Sequence, residues 1–197
     1  MLDICHMTTP RDVLNFWFGE PGDPDYGSSR PEWFVKNDDF DAAIRDRFGE
    51  AVETALQGGF EEWRDDFSGA LSLIILLDQF PRNIYRGSAK MFAGDLRART
   101  IVAKALEYAL DTPLSPYQRL FLYLPFEHSE EKQDQEYCVQ LFEAMPNVPE
   151  KEGWLDYAHK HKVIIDRFGR FPHRNDVLGR PSTPEEIEFL KQPGSGF

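Results

Sequence analysis

Apolar positions along this chain recur at spacings of three and four, and no stretch sustains the alternation of a strand. Val13, Leu14, Phe16, Trp17 and Phe18 predict a first helix, with Thr9 as N-cap, Pro10 at its first position, Asp12 near the positive end of the dipole and Gly19 as its stop. From Asn37, the residues Phe40, Ile44, Phe48, Ala51, Val52, Ala55 and Leu56 predict a second helix, closed by Gly58 and Gly59. A third begins near Asp66 and is apolar almost all round between Leu71 and Leu77, as a central helix would be. Pro81 is expected to end it, because the residue before a proline is pushed out of the α region.

Further helices are predicted from Asp95 to about Leu110 and from Ser115-Pro116 through "YQRLFLYL", the latter kinked or ended by Pro125. Ser129 is placed to cap the acidic helix that follows, with Glu130 and Glu131 at its dipole. Trp154, Tyr157, Ala158, His161, Ile164, Ile165 and Phe168 form a stripe that Gly169 terminates, and Thr183 with Glu186 makes a capping box for a last helix. The expected class is therefore all-α: seven to eight helices packed as helical hairpins. Residues 1–8 read as a ragged extension with Met7 as an alternative start, 9–192 as a single helical domain and 193–197 as a tail. No strict repeat period is present, only two echoes: "FPRN" at Phe80 with "FPHRN" at Phe171, and "RFG" at Arg47 with "RFG" at Arg167.

Composition adds limits. The 197 residues are 41% hydrophobic and 14% aromatic, enough for a sizeable core, and the net charge of −12 works against phosphate-dominated nucleic-acid binding. The longest apolar run, Ala70 to Leu77, is far short of the roughly 18 residues of a membrane span. Two cysteines, Cys5 and Cys138, make no disulfide framework, and "MLDICHM" resembles neither a signal nor a transit peptide, so a cytoplasmic location is expected.

The candidate chemistry lies at helix ends. "RFGRFPHRNDVLGR" packs four arginines, one histidine and two phenylalanines into an otherwise acidic chain, and "LDQFPRNIYRG" is its looser copy. Arg82 and Arg174 suit helix-end carbonyls that lack partners, with Asn83 and Asn175 closing turns. The same donors, left unpaired in a cleft, suit a carboxylate or phosphate; on that reading Arg82, Asn83, Arg86, Arg170, His173, Arg174 and Asn175 line a ligand site. His161 falls on the apolar stripe, either as a core histidine bonded to a carbonyl or as an inward-held proton shuttle. In "PFEHSEE", His128 with Glu130 or Glu131 reads either as a cap or as an acid–base pair. The spacings match no zinc, calcium or ferritin-like pattern, no cofactor motif appears, and no phosphate loop or nucleophile elbow is present.

"FWFG", "LLDQFPRNIYRG", "RLFLYLPFEHSE" and "HKVIIDRFGRFPHRNDVLGRPSTPEE" together resemble a bacterial family catalogued as domain of unknown function 924, over nearly the whole chain after Met7. The resemblance implies an all-helical, tetratricopeptide-like fold with a right-handed arrangement of hairpins, and brings no activity. Its motifs include the positions of His128, His161, His173, Arg82, Arg170 and Arg174. Two functions are expected from these residues: a binding module with an Arg/His-lined groove for an anionic small molecule or acidic peptide, or a small enzyme using His128, Glu130 and His161 in acid–base chemistry. Neither a nucleic-acid nor a membrane partner is expected, and the oligomeric state stays open.

Overall fold

The computed structural model describes residues 7–196, so most of the extension read at 1–8 lies outside the described residues. Among them are eight α-helices and no strand. Helix α1 (Pro10–Phe18) opens on a capping box in which Thr9 Oγ1 accepts the Asp12 N–H and Asp12 accepts the Thr9 N–H at 2.8 Å, an arrangement typically worth about 1 kcal/mol. Helix α2 (Asp38–Leu56) is capped by Asn37, and helix α3, which opens as Phe67–Ile74, by Asp66, whose carboxylate accepts the N–H groups of Ser68 and Gly69.

Pro81 does not end α3. The helix runs as Phe67–Ile74, widens into a π-helical stretch at Ile75–Gln79 and continues as Phe80–Ile84. A proline inside a regular α-helix removes one hydrogen bond and clashes with the preceding turn. Here the π turn shifts the register just upstream, so Pro81 falls in the first turn of the segment that follows, where its missing N–H is tolerated.

Helix α4 spans Asp95–Glu107, and α5 (Pro116–Glu127) starts on a Ser115–Gln118 capping box and continues through Pro125. Helix α6 begins at Lys132, later than expected, and runs to Ala144. Ser129 therefore sits upstream of it, donating to Asp134 at 2.6 Å and accepting the Glu131 N–H, while Glu130 lies outside the helix. Helix α7 (Lys151–Phe168) ends on Gly169 in the left-handed region at φ 69°, and α8 (Pro184–Leu190) starts on the Thr183–Glu186 capping box.

Helix α3 is the centre of the core. Leu71, Leu73, Ile74, Ile75, Leu76, Leu77 and Phe80 are fully buried, and the helix packs against α1, α2, α4 and α5. Phe80 and Phe121 meet Trp17 edge-on, with ring centres 5.7 and 5.2 Å away. Helices α6 and α7 extend the body by sequential packing, α5 on α6 and α6 on α7. A smaller apolar cluster, Ile164, Ile165 and Phe171 with Phe168 and Phe189, anchors the chain after α7 and α8.

One close approach matters for the site. A Cβ added to Gly94, just before α4, would sit 2.1 Å from the Leu77 carbonyl oxygen in the π turn. Only glycine lets the start of α4 lie this close to α3, and that contact brings Asp95 beside Arg82.

Candidate functional site

Both FP…RN segments converge on one carboxylate. Arg82, one turn beyond the π stretch, donates from Nη1 and Nη2 to Asp95 at 2.8 and 3.0 Å. Arg174, in the 3-10 turn Pro172–Arg174, reaches the same carboxylate from Nη1 at 3.5 Å. The sequence echo therefore corresponds to a spatial meeting of a helical segment near the middle of the chain with a turn close to its end.

Beneath them lies Asp78, fully buried in the π turn. Its Oδ1 is 2.7 Å from His128 Nδ1 and 3.1 Å from Arg82 Nη1. Burial pushes the Asp78 carboxyl up, but the charges of Arg82 and His128 outweigh it and hold the group well below the usual carboxylate range. His128 caps the end of α5, and burial, followed by the Arg82 cation, lowers its pKa.

Glu127, the preceding residue, turns into the same interior. Its Oε1 is 3.5 Å from His161 Nδ1, and burial, with Asp78 adding to it, raises its pKa to about 8. His161 donates from Nδ1 to the Tyr157 carbonyl at 2.9 Å, which fixes its tautomer, and burial lowers its pKa to about 3. At neutral pH these two groups are an uncharged acid and an uncharged imidazole. The His128 and His161 rings are 6.4 Å apart, and Phe171 stands edge-on to His161 at 5.5 Å. His173, whose ring centre is 5.6 Å from that of Phe171, has its pKa lowered to about 4 by burial and then by Arg174.

The other arginines are committed. Arg180 forks onto Glu130 at 2.7 and 3.0 Å, and Glu130 also accepts the Phe171 N–H at 2.8 Å. Glu130 is thus a clamp on the C-terminal turn, and the partner of His128 is Asp78. Arg170 forks onto Glu186 at 2.7 and 2.8 Å, and Asn175 bridges Ser182, Glu186 and Arg180. Asn83 and Arg86 both bond Asp41 on α2, a different carboxylate from the one that gathers Arg82 and Arg174.

Of the residues expected at a site, the structure brings His128, His161, His173, Arg82 and Arg174 together; Glu130 borders them, and Asn83 and Arg86 are tied to α2. Sequence reasoning missed Asp78, Asp95, Glu127, Arg180 and Phe92, whose ring centre lies 4.6 Å from the central carbon of the Arg174 guanidinium. The signal for Asp78 was available: a lone carboxylate at the end of "LSLIILLD" has to be paired if that run is buried. Among the described residues no three His, Cys, Asp or Glu side chains are grouped to hold a metal ion, and no helix is long and apolar enough to cross a membrane. A cavity of about 560 Å³ beside the starts of α1 and α3, lined by residues including Thr9, Leu14, Tyr26 and Phe67, shares no residue with the polar cluster.

Comparison with known proteins places this geometry in context. Residues 13–194 match the model of a bacterial family of unknown function, domain 924. A solved structure of a protein of unknown function from Agrobacterium tumefaciens is similar at 37% identity and a TM-score of 0.81, over 92% of this chain and 96% of that one. No curated protein matches the chain.

Proposed function

The chain belongs to the bacterial family catalogued as domain of unknown function 924, and from the chemistry of its own residues we propose that it is a small acid–base enzyme acting on an anionic small molecule, with His128 as the proton acceptor. One observation carries this reading: the 2.7 Å contact between His128 Nδ1 and the buried Asp78 carboxylate. An ionised carboxylate only accepts, so Nδ1 keeps the proton and Nε2 carries the lone pair. A lowered pKa keeps that lone pair available at neutral pH, and Asp78 stabilises the imidazolium formed when Nε2 takes a proton.

Two further features support it. Asp78 is held ionised and Glu127 protonated within one cluster, the separation of roles that acid–base sites use. Arg174 supplies a cation for the substrate's anionic group. The second reading, a binding module without turnover for an anionic molecule or acidic peptide, draws on Arg82 and Arg170, whose carboxylate forks make a rigid frame around a recognition turn. A tetratricopeptide-like stacking is supported by the sequential packing of α4 to α7, and a cytoplasmic location by the buried free thiol of Cys138.

The test is a panel of small carboxylates and phosphorylated metabolites in D2O, followed by proton NMR for conversion or solvent exchange. At least one compound should react with the wild type and not with His128→Gln. Compounds that bind without reacting would favour the binding module.

A further inference from the structure

Among the described residues, Arg174 is the one cluster arginine whose donors are not taken up by a carboxylate fork. Arg82, Arg170 and Arg180 each hold a carboxylate through two bonds of 2.7 to 3.0 Å. Arg174 is only 7% exposed, yet its guanidinium makes a single long bond, Nη1 to Asp95 at 3.5 Å, and its Nε is buried with no hydrogen-bond partner among the described residues. Buried donors are normally satisfied, and an arginine kept to cap the fold would be. Asp95 leaves the bonds missing: its Oδ2, which also accepts from Arg82, is met only by Nη1 of Arg174, at 3.5 Å.

The rest of the group is fixed in place. Its central carbon lies 4.6 Å from the Phe92 ring centre and 4.4 Å from that of Phe171, so the rings hold the cation in place while its Nε stays without a partner. Burial, then the neighbouring Arg82, lowers its pKa to about 10, which leaves it charged at neutral pH.

We infer that the Nε–Nη2 edge of Arg174 is a docking fork for the carboxylate of a small-molecule ligand. The ligand class follows from charge. Arg82, Arg174 and Arg180 balance Asp78, Asp95 and Glu130, so the half-buried site tolerates one more anion only where an unpaired fork meets it. A carboxylate brings one negative charge in a planar pair of oxygens that match the fork. A phosphate dianion would set a second charge against Asp78 and Asp95. This inference names the substrate class of the acid–base site proposed above and rests on that reading for its catalytic meaning, while the binding itself is measured without turnover.

The probe is acetate, titrated at constant ionic strength against inorganic phosphate, with calorimetry and the NMR signal of the Arg174 Nε–H as readouts. Wild-type protein should bind acetate saturably and more tightly than phosphate, with the Nε–H signal moving on binding. Arg174→Lys, which keeps the charge without the fork, should weaken acetate at least tenfold, and Asp95→Asn should tighten it. No saturable acetate binding, an unmoved Nε–H signal, tighter phosphate than acetate, or equal acetate affinity in Arg174→Lys would each overturn the inference. If Arg174→Lys does not fold, the wild-type Nε–H titration decides. Turnover in the metabolite panel without Arg174-dependent acetate binding sinks this inference alone; acetate binding without any turnover sinks the acid–base reading alone.

Discussion

Asp78 and His128, fifty positions apart, are joined by a 2.7 Å contact between a fully buried carboxylate and an imidazole N–H. The carboxylate also faces Arg82, so its removal leaves a buried cation short of a partner. Asp78→Ala should destabilise the protein by about 3–5 kcal/mol in urea unfolding, toward the lower end because Arg82 keeps Asp95. A loss below about 1 kcal/mol would mean that the contact carries little of the fold.

The two arginines that share Asp95 should behave differently. Arg82→Ala strips partners from Asp78 and Asp95 and should cost about 3–5 kcal/mol. Arg174→Ala gives up two aromatic contacts and one long bond while relieving a poorly solvated cation, and should cost about 1–2 kcal/mol. Chemical denaturation ranks them, and the reverse order contradicts the roles assigned here.

Gly94→Ala drives a methyl group to 2.1 Å from the Leu77 carbonyl, which is backbone and cannot swing aside. Helix α4 must move, and Asp95 moves with it. The expected outcome is a loss of about 3 kcal/mol or more in a calorimetric melt. A variant that melts with the wild type would show that α4 shifts freely against the π turn.

Glu127 binds its proton more tightly in the folded chain, with a pKa of about 8 against 4.5 unfolded. Its contribution is fully present below pH 4.5 and is lost as pH rises toward 8, by up to about 1.4 kcal/mol per pH unit. His161 and His173 act in the opposite sense: with folded pKa values of about 3 and 4 against 6.5, they oppose folding increasingly as pH falls below 6.5. Glu127→Gln should therefore gain melting temperature relative to the wild type between pH 5 and 8. Parallel profiles over that range would show that Glu127 titrates normally.

Much of the frame is legible in the sequence because it is encoded locally. Thr9 with Asp12, Asn37, Ser115 with Gln118, Thr183 with Glu186, and Gly169 each mark a helix end through bonds spanning a few residues. Pro81 is read wrongly by the same local logic, since the π turn that accommodates it lies in the buried packing of α3. The site was legible only in part. His128, His161, Arg82 and Arg174 stand out by residue type, but their partners Asp78 and Asp95 depend on contacts between α3, α4 and α5. The pairing expected for His128, with Glu130 or Glu131 a few residues away, gives way to Asp78, a partner that only the tertiary structure brings near.

The state of His128 tests the central claim most directly. In 15N NMR of imidazole-labelled protein, the ring should be neutral at pH 7, with the proton on Nδ1 and a bare Nε2, and should titrate below the ordinary histidine value because burial and Arg82 oppose its charge. Asp78→Asn should lose the preference for the Nδ1–H form. A ring that is doubly protonated at pH 7, or one that carries its proton on Nε2, would contradict the assignment of His128 as a base held ready by Asp78.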